Sequence, residues 1–201
     1  MREDRIYPDD DVPYVSTFDY HEDRERAPHL EQEWHRPRLE RAAQLVQEAS
    51  LRAGKPLTVS DLGCGDGGLL SLLDGMPGVF DAWGYDFAPA NAAGWAERGI
   101  KAQALDVFGA DRDKVRLGGV AVMTEVLEHV ADPHGTAAWV AAKSRWLVCS
   151  SPWNESATDH DPSHAWAWDL EGYAAMLTGA GWTVAVHDSV GLFQVVLAKR
   201  S

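Results

Sequence analysis

The stretch Leu57-Thr58-Val59-Ser60-Asp61-Leu62-Gly63-Cys64-Gly65-Asp66-Gly67-Gly68-Leu69-Leu70 decides the fold. Leu57 to Leu62 is a short, largely apolar run and reads as a buried strand. Glycines at alternate positions then let the backbone turn tightly and approach a ligand closely. A helix begins at Gly67 and runs to Leu73, so its first amides face whatever the turn encloses. A plain structural turn also carries this glycine pattern. What sets it apart here is Asp61 at the strand end, since a fixed carboxylate repels a dinucleotide pyrophosphate and suits a cationic ligand.

Working outward, short apolar runs alternate with helical segments. Val79–Asp86, 101–107, 119–124 and 146–150 read as strands. The segments 88–98, 137–143 and 169–180 read as helices, the last opened by an Asp cap. The runs 182–190 and 192–198 look like a closing antiparallel pair. Such alternation implies an α/β fold, a doubly wound, mostly parallel sheet with helices on both faces. Ligands of such sheets lie beyond the carboxyl ends of the strands. Upstream, Pro37 suits a helix start, and Leu39, Ala42, Ala43, Val46 and Ala49 form one apolar face ending at Gly54. Met1 to Pro13 is acidic and proline-containing and is expected to be disordered.

Two further acids follow strands. Asp86 closes Gly84-Tyr85-Asp86, about 20 residues after the glycine turn, where a ribose-binding acid lies in nucleotide folds. Asp106 follows the third strand and can accept from an adenine amino group. Each alone is an ordinary cap or turn residue; at three successive strand ends they suggest a nucleoside pocket. From Thr58 to Lys199 the chain resembles the class I S-adenosylmethionine (SAM)-dependent methyltransferases, through Val59 to Gly67, Gly84-Tyr85-Asp86-Phe87-Ala88-Pro89 and Asp106-Val107. The resemblance implies a Rossmann-like seven-stranded sheet with the last strand antiparallel, plus an N-terminal helical extension. It also implies SAM as cofactor, Asp86 on the ribose hydroxyls, and a pocket formed by Asp61, Gly63, Cys64, Gly65, Asp86, Phe87, Asp106, Val107 and Thr124.

The fourth strand runs into Thr124-Glu125-Val126-Leu127-Glu128-His129. On a helical turn Glu125, Glu128 and His129 share a face. Two carboxylates and an imidazole can bind a divalent cation, and His129 can instead act as a general base. Downstream, His164, or less readily His160, can return to Glu125 and His129. The pattern Glu-x-x-Glu-His with a distal His resembles two O-methyltransferase groups: those of the ubiquinone pathway and the small-RNA 3′-terminal 2′-O-methyltransferases. The resemblance implies Mg²⁺ or Mn²⁺ on Glu125, Glu128, His129 and His164, with Glu125 and His129 catalytic. A metal-free His129 base and a purely structural role stay open.

Nine tryptophans stand in the chain. Trp83, Trp139, Trp146 and Trp182 read as core and Trp95 as helix packing, while Trp153, Trp166 and Trp168 fall in a segment expected to overhang the site and stack an acceptor. With 201 residues, 45% of them apolar and 24% charged, this is one ordinary globular domain. Its expected organisation is an acidic segment and helix over 1–54, capping the substrate, and a methyltransferase domain over 55–201. A net charge of −13 repels a phosphate backbone and an anionic membrane surface. The expected partner is therefore a small-molecule methyl acceptor, aromatic or polyhydroxylated. An RNA 3′ end is the disfavoured alternative. No run approaches the roughly 18 apolar residues of a membrane helix. Two cysteines are too few for a disulfide framework, and the polar start is unlike a signal peptide. A cytoplasmic protein is expected, monomeric or homodimeric.

Overall fold

The computed structural model describes residues 1–7, 26, 28–109 and 111–201. Its sheet has seven strands: β2 (Leu57–Leu62), β3 (Val79–Asp86), β4 (Ala102–Ala104), β5 (Val120–Thr124), β6 (Trp146–Pro152), β8 (Trp182–Val190) and β9 (Phe193–Arg200). The spatial order is β4-β3-β2-β5-β6-β9-β8. Neighbours from β4 to β6 are parallel, while β9 runs antiparallel to both β6 and β8. The chain winds outward from β2 and returns to start β5 beside it, so the strand order reverses between these two central strands. That reversal opens the crevice where open α/β sheets bind ligands.

The central strands are buried on both faces, which is why they read as continuous apolar runs. Side chains still alternate. Val120 and Val122 of β5 pack on one face, with helices α1 (Arg36–Ala53) and α2 (Gly68–Leu73). Ala121 and Met123 pack on the other, with α4 (Pro133–Lys143) and α5 (Leu170–Gly179). The short helix α3 (Ala92–Arg98) lies between β3 and β4 and stops at Gly99, whose φ of 64° suits glycine. All five residues of the apolar stripe expected in α1 are buried. Thus the helix grouped by sequence with the N-terminal segment belongs to the main core.

Two sequence expectations shift. The third strand covers only Ala102–Ala104, so Leu105 and Asp106 lie beyond the ladder. The N-terminus is ordered over its first residues: β1 (Glu3–Arg5) pairs antiparallel with β7 (Trp166–Trp168), a strand the sequence did not announce. Residues 8–13, also expected to be disordered, lie outside the described residues. Among the described residues no helix is long and apolar enough to cross a membrane.

Candidate active site

At the carboxyl ends of β2 and β5 lies a cavity of about 820 Å³. Its floor is the glycine turn. Gly63, Gly65 and Gly67 all have positive φ, at 76°, 54° and 86°. A Cβ on Gly63 would stand 2.7 Å from Val126 Cγ2, so the turn must stay bare where it faces the cavity. Gly65 N–H donates to Asp86 Oδ2 at 2.9 Å. Asp86 Oδ1 accepts from Ala88 N–H at 2.9 Å and from the Asn91 amide at 3.2 Å. The carboxylate is thereby fixed at the cavity wall, and Oδ2 keeps acceptor capacity for a ligand hydroxyl. Asp61 lines the same cavity at 1% exposure, and its Oδ1 has no hydrogen-bond partner. Burial, with Asp86 nearby, pushes its carboxyl up to about 7.

These residues fit a cationic nucleoside: a bare glycine cradle, an anchored acid for hydroxyls and a buried carboxylate with one oxygen unpartnered. Cys64, Phe87, Val107 and Thr124 also line the cavity. Burial drives the Cys64 thiol well above its ordinary range. Asp106 does not line the cavity. Its carboxylate folds over its own loop, where a Cβ on Gly109 would lie 2.1 Å from Oδ2, and Val107 and Phe108 face the cavity instead. Asp66, quoted only as part of the glycine turn, is buried between two cations: Arg26 Nε at 3.1 Å and Arg98 Nη2 at 3.0 Å.

Past β5 the backbone turns sharply. Glu125 has φ of 57°, the only positive value on a non-glycine among the described residues. Such conformations persist where the surroundings impose them, often at functional sites. A single 3₁₀ turn, Leu127–His129, follows. Glu128 is 0% exposed, and neither carboxylate oxygen has a hydrogen-bond partner. Burial first, and Glu125 second, raise its carboxyl well above the usual range. Ligand atoms of Glu128, His129 and His164 lie within 4.8 Å of one another. The two imidazoles meet edge to face at 4.6 Å. His129 Nδ1 lies 2.9 Å from the Ser163 carbonyl and His164 Nδ1 lies 2.6 Å from Glu155 Oε2. Both partners only accept, so each Nδ1 carries a hydrogen, which leaves Nε2 as the atom that can offer a lone pair.

This donor set fits a hard or borderline divalent cation: one carboxylate and two imidazoles, with a buried acid that lacks any other partner. Glu125, expected as a fourth ligand, is not in the group. Its Oε1 accepts from Ser150 Oγ at 3.0 Å and lies 3.8 Å from Arg38 Nη1. Burial raises the Glu125 carboxyl, and the buried arginine on α1, 1% exposed, opposes that rise.

The tryptophans expected to stack an acceptor do not reach the cavity. Pairing of β7 with β1 turns Trp166 and Trp168 into a stacked pair whose indole N–H groups bind the Val130 carbonyl and Glu3. Trp153 donates to the Gly191 carbonyl. The aromatic wall comes instead from residues just before α1 and at the start of β9. Trp34 stacks on His35 at 3.6 Å, His35 lies 4.1 Å from His29, and both Trp34 and His35 stack on Phe193. Trp34 keeps 60% of its surface exposed. Burial, with His29 and Arg38 beside it, lowers His35 to about 3. The ring is thus neutral and accepts from Arg38 Nη2 at 3.2 Å.

Sequence reasoning missed Arg38, His35, Phe193 and Glu155. Only Arg38 carried a signal, as a cation four residues before Ala42 on the buried stripe.

Residues 33–189 match the profile of the family described as "Methyltransferase domain". No curated protein sequence matches the chain significantly. Among solved structures, the N-terminal domain of EvdMO1, in the presence of S-adenosylhomocysteine (SAH) and D-fucose, is similar with TM-score 0.59 and 17% identity, covering 83% of this chain and 84% of that one. The Burkholderia thailandensis 1,6-didemethyltoxoflavin-N1-methyltransferase, with bound 1,6-didemethyltoxoflavin and SAH, gives TM-score 0.58 and 18% identity, covering 84% of each chain. The [4+2]-cyclase SpnF gives TM-score 0.64 and 13% identity, over 85% of this chain and 83% of that one. At these identities the structures speak for the fold, whereas the profile match spans most of the sequence: the chain belongs to the methyltransferase-domain family, the class I SAM-dependent methyltransferases.

Proposed function

We propose that this chain catalyses SAM-dependent O-methylation of a hydroxyl on a small aromatic or polyhydroxylated molecule, with Mg²⁺ or Mn²⁺ held by Glu128, His129 and His164. The observation that carries the reading is the fully buried Glu128 carboxylate, which has no hydrogen-bond partner yet stands within ligand reach of two imidazoles. Burying a lone carboxylate costs several kcal/mol, and a divalent cation offsets that cost. Asp86 would take the ribose hydroxyls of SAM, Gly63 and Gly65 would bring backbone against it, and Asp61 would face its positive charge. When bound, the cation supplies Lewis acidity, lowering the pKa of an acceptor hydroxyl. Transfer forms an O–CH₃ bond as the S–CH₃ bond breaks and releases the hydroxyl proton to solvent. The chain's own contribution is positioning: Trp34, His35 and Phe193 offer a ring face to a planar acceptor, and Arg38 stands beside Glu125. The N-terminal residues 29–35, which supply all of that wall but Phe193, act as the substrate cap.

The test is methyl transfer from labelled SAM to catechol-like acceptors, with and without exhaustive chelation. Transfer that disappears on chelation and returns with Mg²⁺ or Mn²⁺ supports the reading. Transfer that survives chelation leaves His129 as the base, and transfer to RNA 3′ ends alone replaces the small-molecule acceptor.

A further inference from the structure

We propose that Glu155 is the positioning residue of the ion site, and that the N-terminal strand β1 holds the loop that presents it. The proposal rests on the cation reading above. Glu155 Oε2 is 2.6 Å from His164 Nδ1, and both side chains are largely buried, at 16% and 10% exposed. Water therefore competes little for the bond. The other carboxylate oxygen, Oε1, accepts from Asp161 N–H at 3.1 Å. Glu155 is thus fixed at both oxygens. A carboxylate on Nδ1 fixes both the tautomer and the ring orientation, and metal-ligating histidines depend on such a partner.

Glu155 and His164 stand in the loop between β6 and β7, which has no helix or strand of its own among the described residues. Such a loop needs outside anchors to hold an imidazole in place. The chain's first residues supply them. The Arg2 guanidinium donates to the Glu155 carbonyl. Ile6 N–H donates to the Ala165 carbonyl at 2.9 Å, and the Tyr7 hydroxyl donates to the Pro162 carbonyl at 2.9 Å. The pairing of β1 with β7 continues the strap directly after His164. This gives the N-terminal strand a function at the site although none of its residues lines the cavity.

The experiment uses the full chain saturated with SAH, and two readouts. Long-range ¹H–¹⁵N spectra of the imidazoles, recorded without metal, report the His164 tautomer. Calorimetric titration with Mn²⁺ reports the affinity of the site. Wild type is expected to show the Nδ1–H tautomer. Glu155→Ala is expected to move His164 toward Nε2–H and to weaken Mn²⁺ binding about 10- to 100-fold, with SAH affinity unchanged as the control for folding. Glu155→Gln, whose side-chain oxygen still accepts, should keep the tautomer and lose less affinity. Arg2→Ala should lose less again. An unchanged tautomer and Mn²⁺ affinity in Glu155→Ala overturns the proposal and leaves the cation reading standing. A wild-type protein that binds no Mn²⁺ overturns the cation reading and with it the ion-site role, while the tautomer still decides whether Glu155 orients His164.

Discussion

The two walls of the cavity differ in how far apart along the chain their parts lie. The wall under the glycine turn is assembled from short contiguous stretches, Asp61 to Gly68 and Asp86 to Asn91, joined by the hydrogen bond from Gly65 N–H to Asp86. The other wall gathers His29, Trp34 and His35 from just before the first helix, Glu125 and His129 after β5, Glu155 and His164 from a loop, and Phe193 from the last strand. Backbone conformation builds the first wall, so its residue types are dictated locally. The second is a meeting of side chains, each free to come from any element that reaches the edge. A fold does not fix a function, as a [4+2]-cyclase among structures of similar fold illustrates.

The comparison can be broken by substitutions that should affect one wall and spare the other. The largest effect is expected from His164→Ala or Glu128→Ala. Either should reduce turnover about 1,000-fold, the loss of several kcal/mol of charge stabilisation, with SAM affinity unchanged by calorimetry. A parallel loss of SAM binding would show that the walls are not independent.

Asp61 probes the cofactor wall through pH. Its carboxyl stands at about 7 in the fold against 3.8 unfolded. The fold therefore holds it protonated where the unfolded chain has already ionised. Its contribution to stability is full below pH 3.8 and is lost as pH rises to about 7, an upper bound of about 4 kcal/mol. Asp61→Asn should thus raise the melting temperature of the ligand-free protein at pH 8 and flatten its pH dependence. SAM affinity should increase with pH through 7 in wild type and stay flat in the variant.

Asp86→Ala removes the acceptor shared by Gly65, Ala88 and Asn91. SAM binding should weaken tenfold or more, about 1.5–3 kcal/mol for a charge-assisted hydrogen-bond pair. The smallest effect is expected at Trp34. Trp34→Ala deletes an exposed stacking face worth about 0.5–1.5 kcal/mol, so acceptor KM should rise about 2- to 12-fold while the dissociation constant for SAM holds. A rise in both would place Trp34 in the cofactor wall instead.

The two walls were also unequally legible. Strands β2 and β3, the apolar stripe of α1, the Asp169 cap and the positive-φ glycines all follow from local pattern, because periodicity and backbone sterics act over a few residues. Spacing alone puts Glu128 and His129 together, and the order of the strands lets His164 return to them; resemblance to a motif adds to that reading. The same spacing places Glu125 in that group, because spacing shows which residues share a face but not which charge each one meets. Arg38, from a different element, takes it. The tryptophans misled for a related reason. Trp166 and Trp168 have the chemistry of a stacking lid, but pairing with a strand at the opposite end of the sequence turns them inward.

By itself, then, the sequence determined the α/β order, the glycine turn and the acids beside it, since each is fixed by neighbours in the chain. Tertiary structure alone decided which carboxylate is left without a partner, which acid meets Arg38, and which aromatic rings face the cavity. Those outcomes depend on burial and on contacts between residues as distant as Arg2 and Glu155 or His35 and Phe193. No local pattern encodes such contacts, because their free energy arises only once the sheet has brought the elements together.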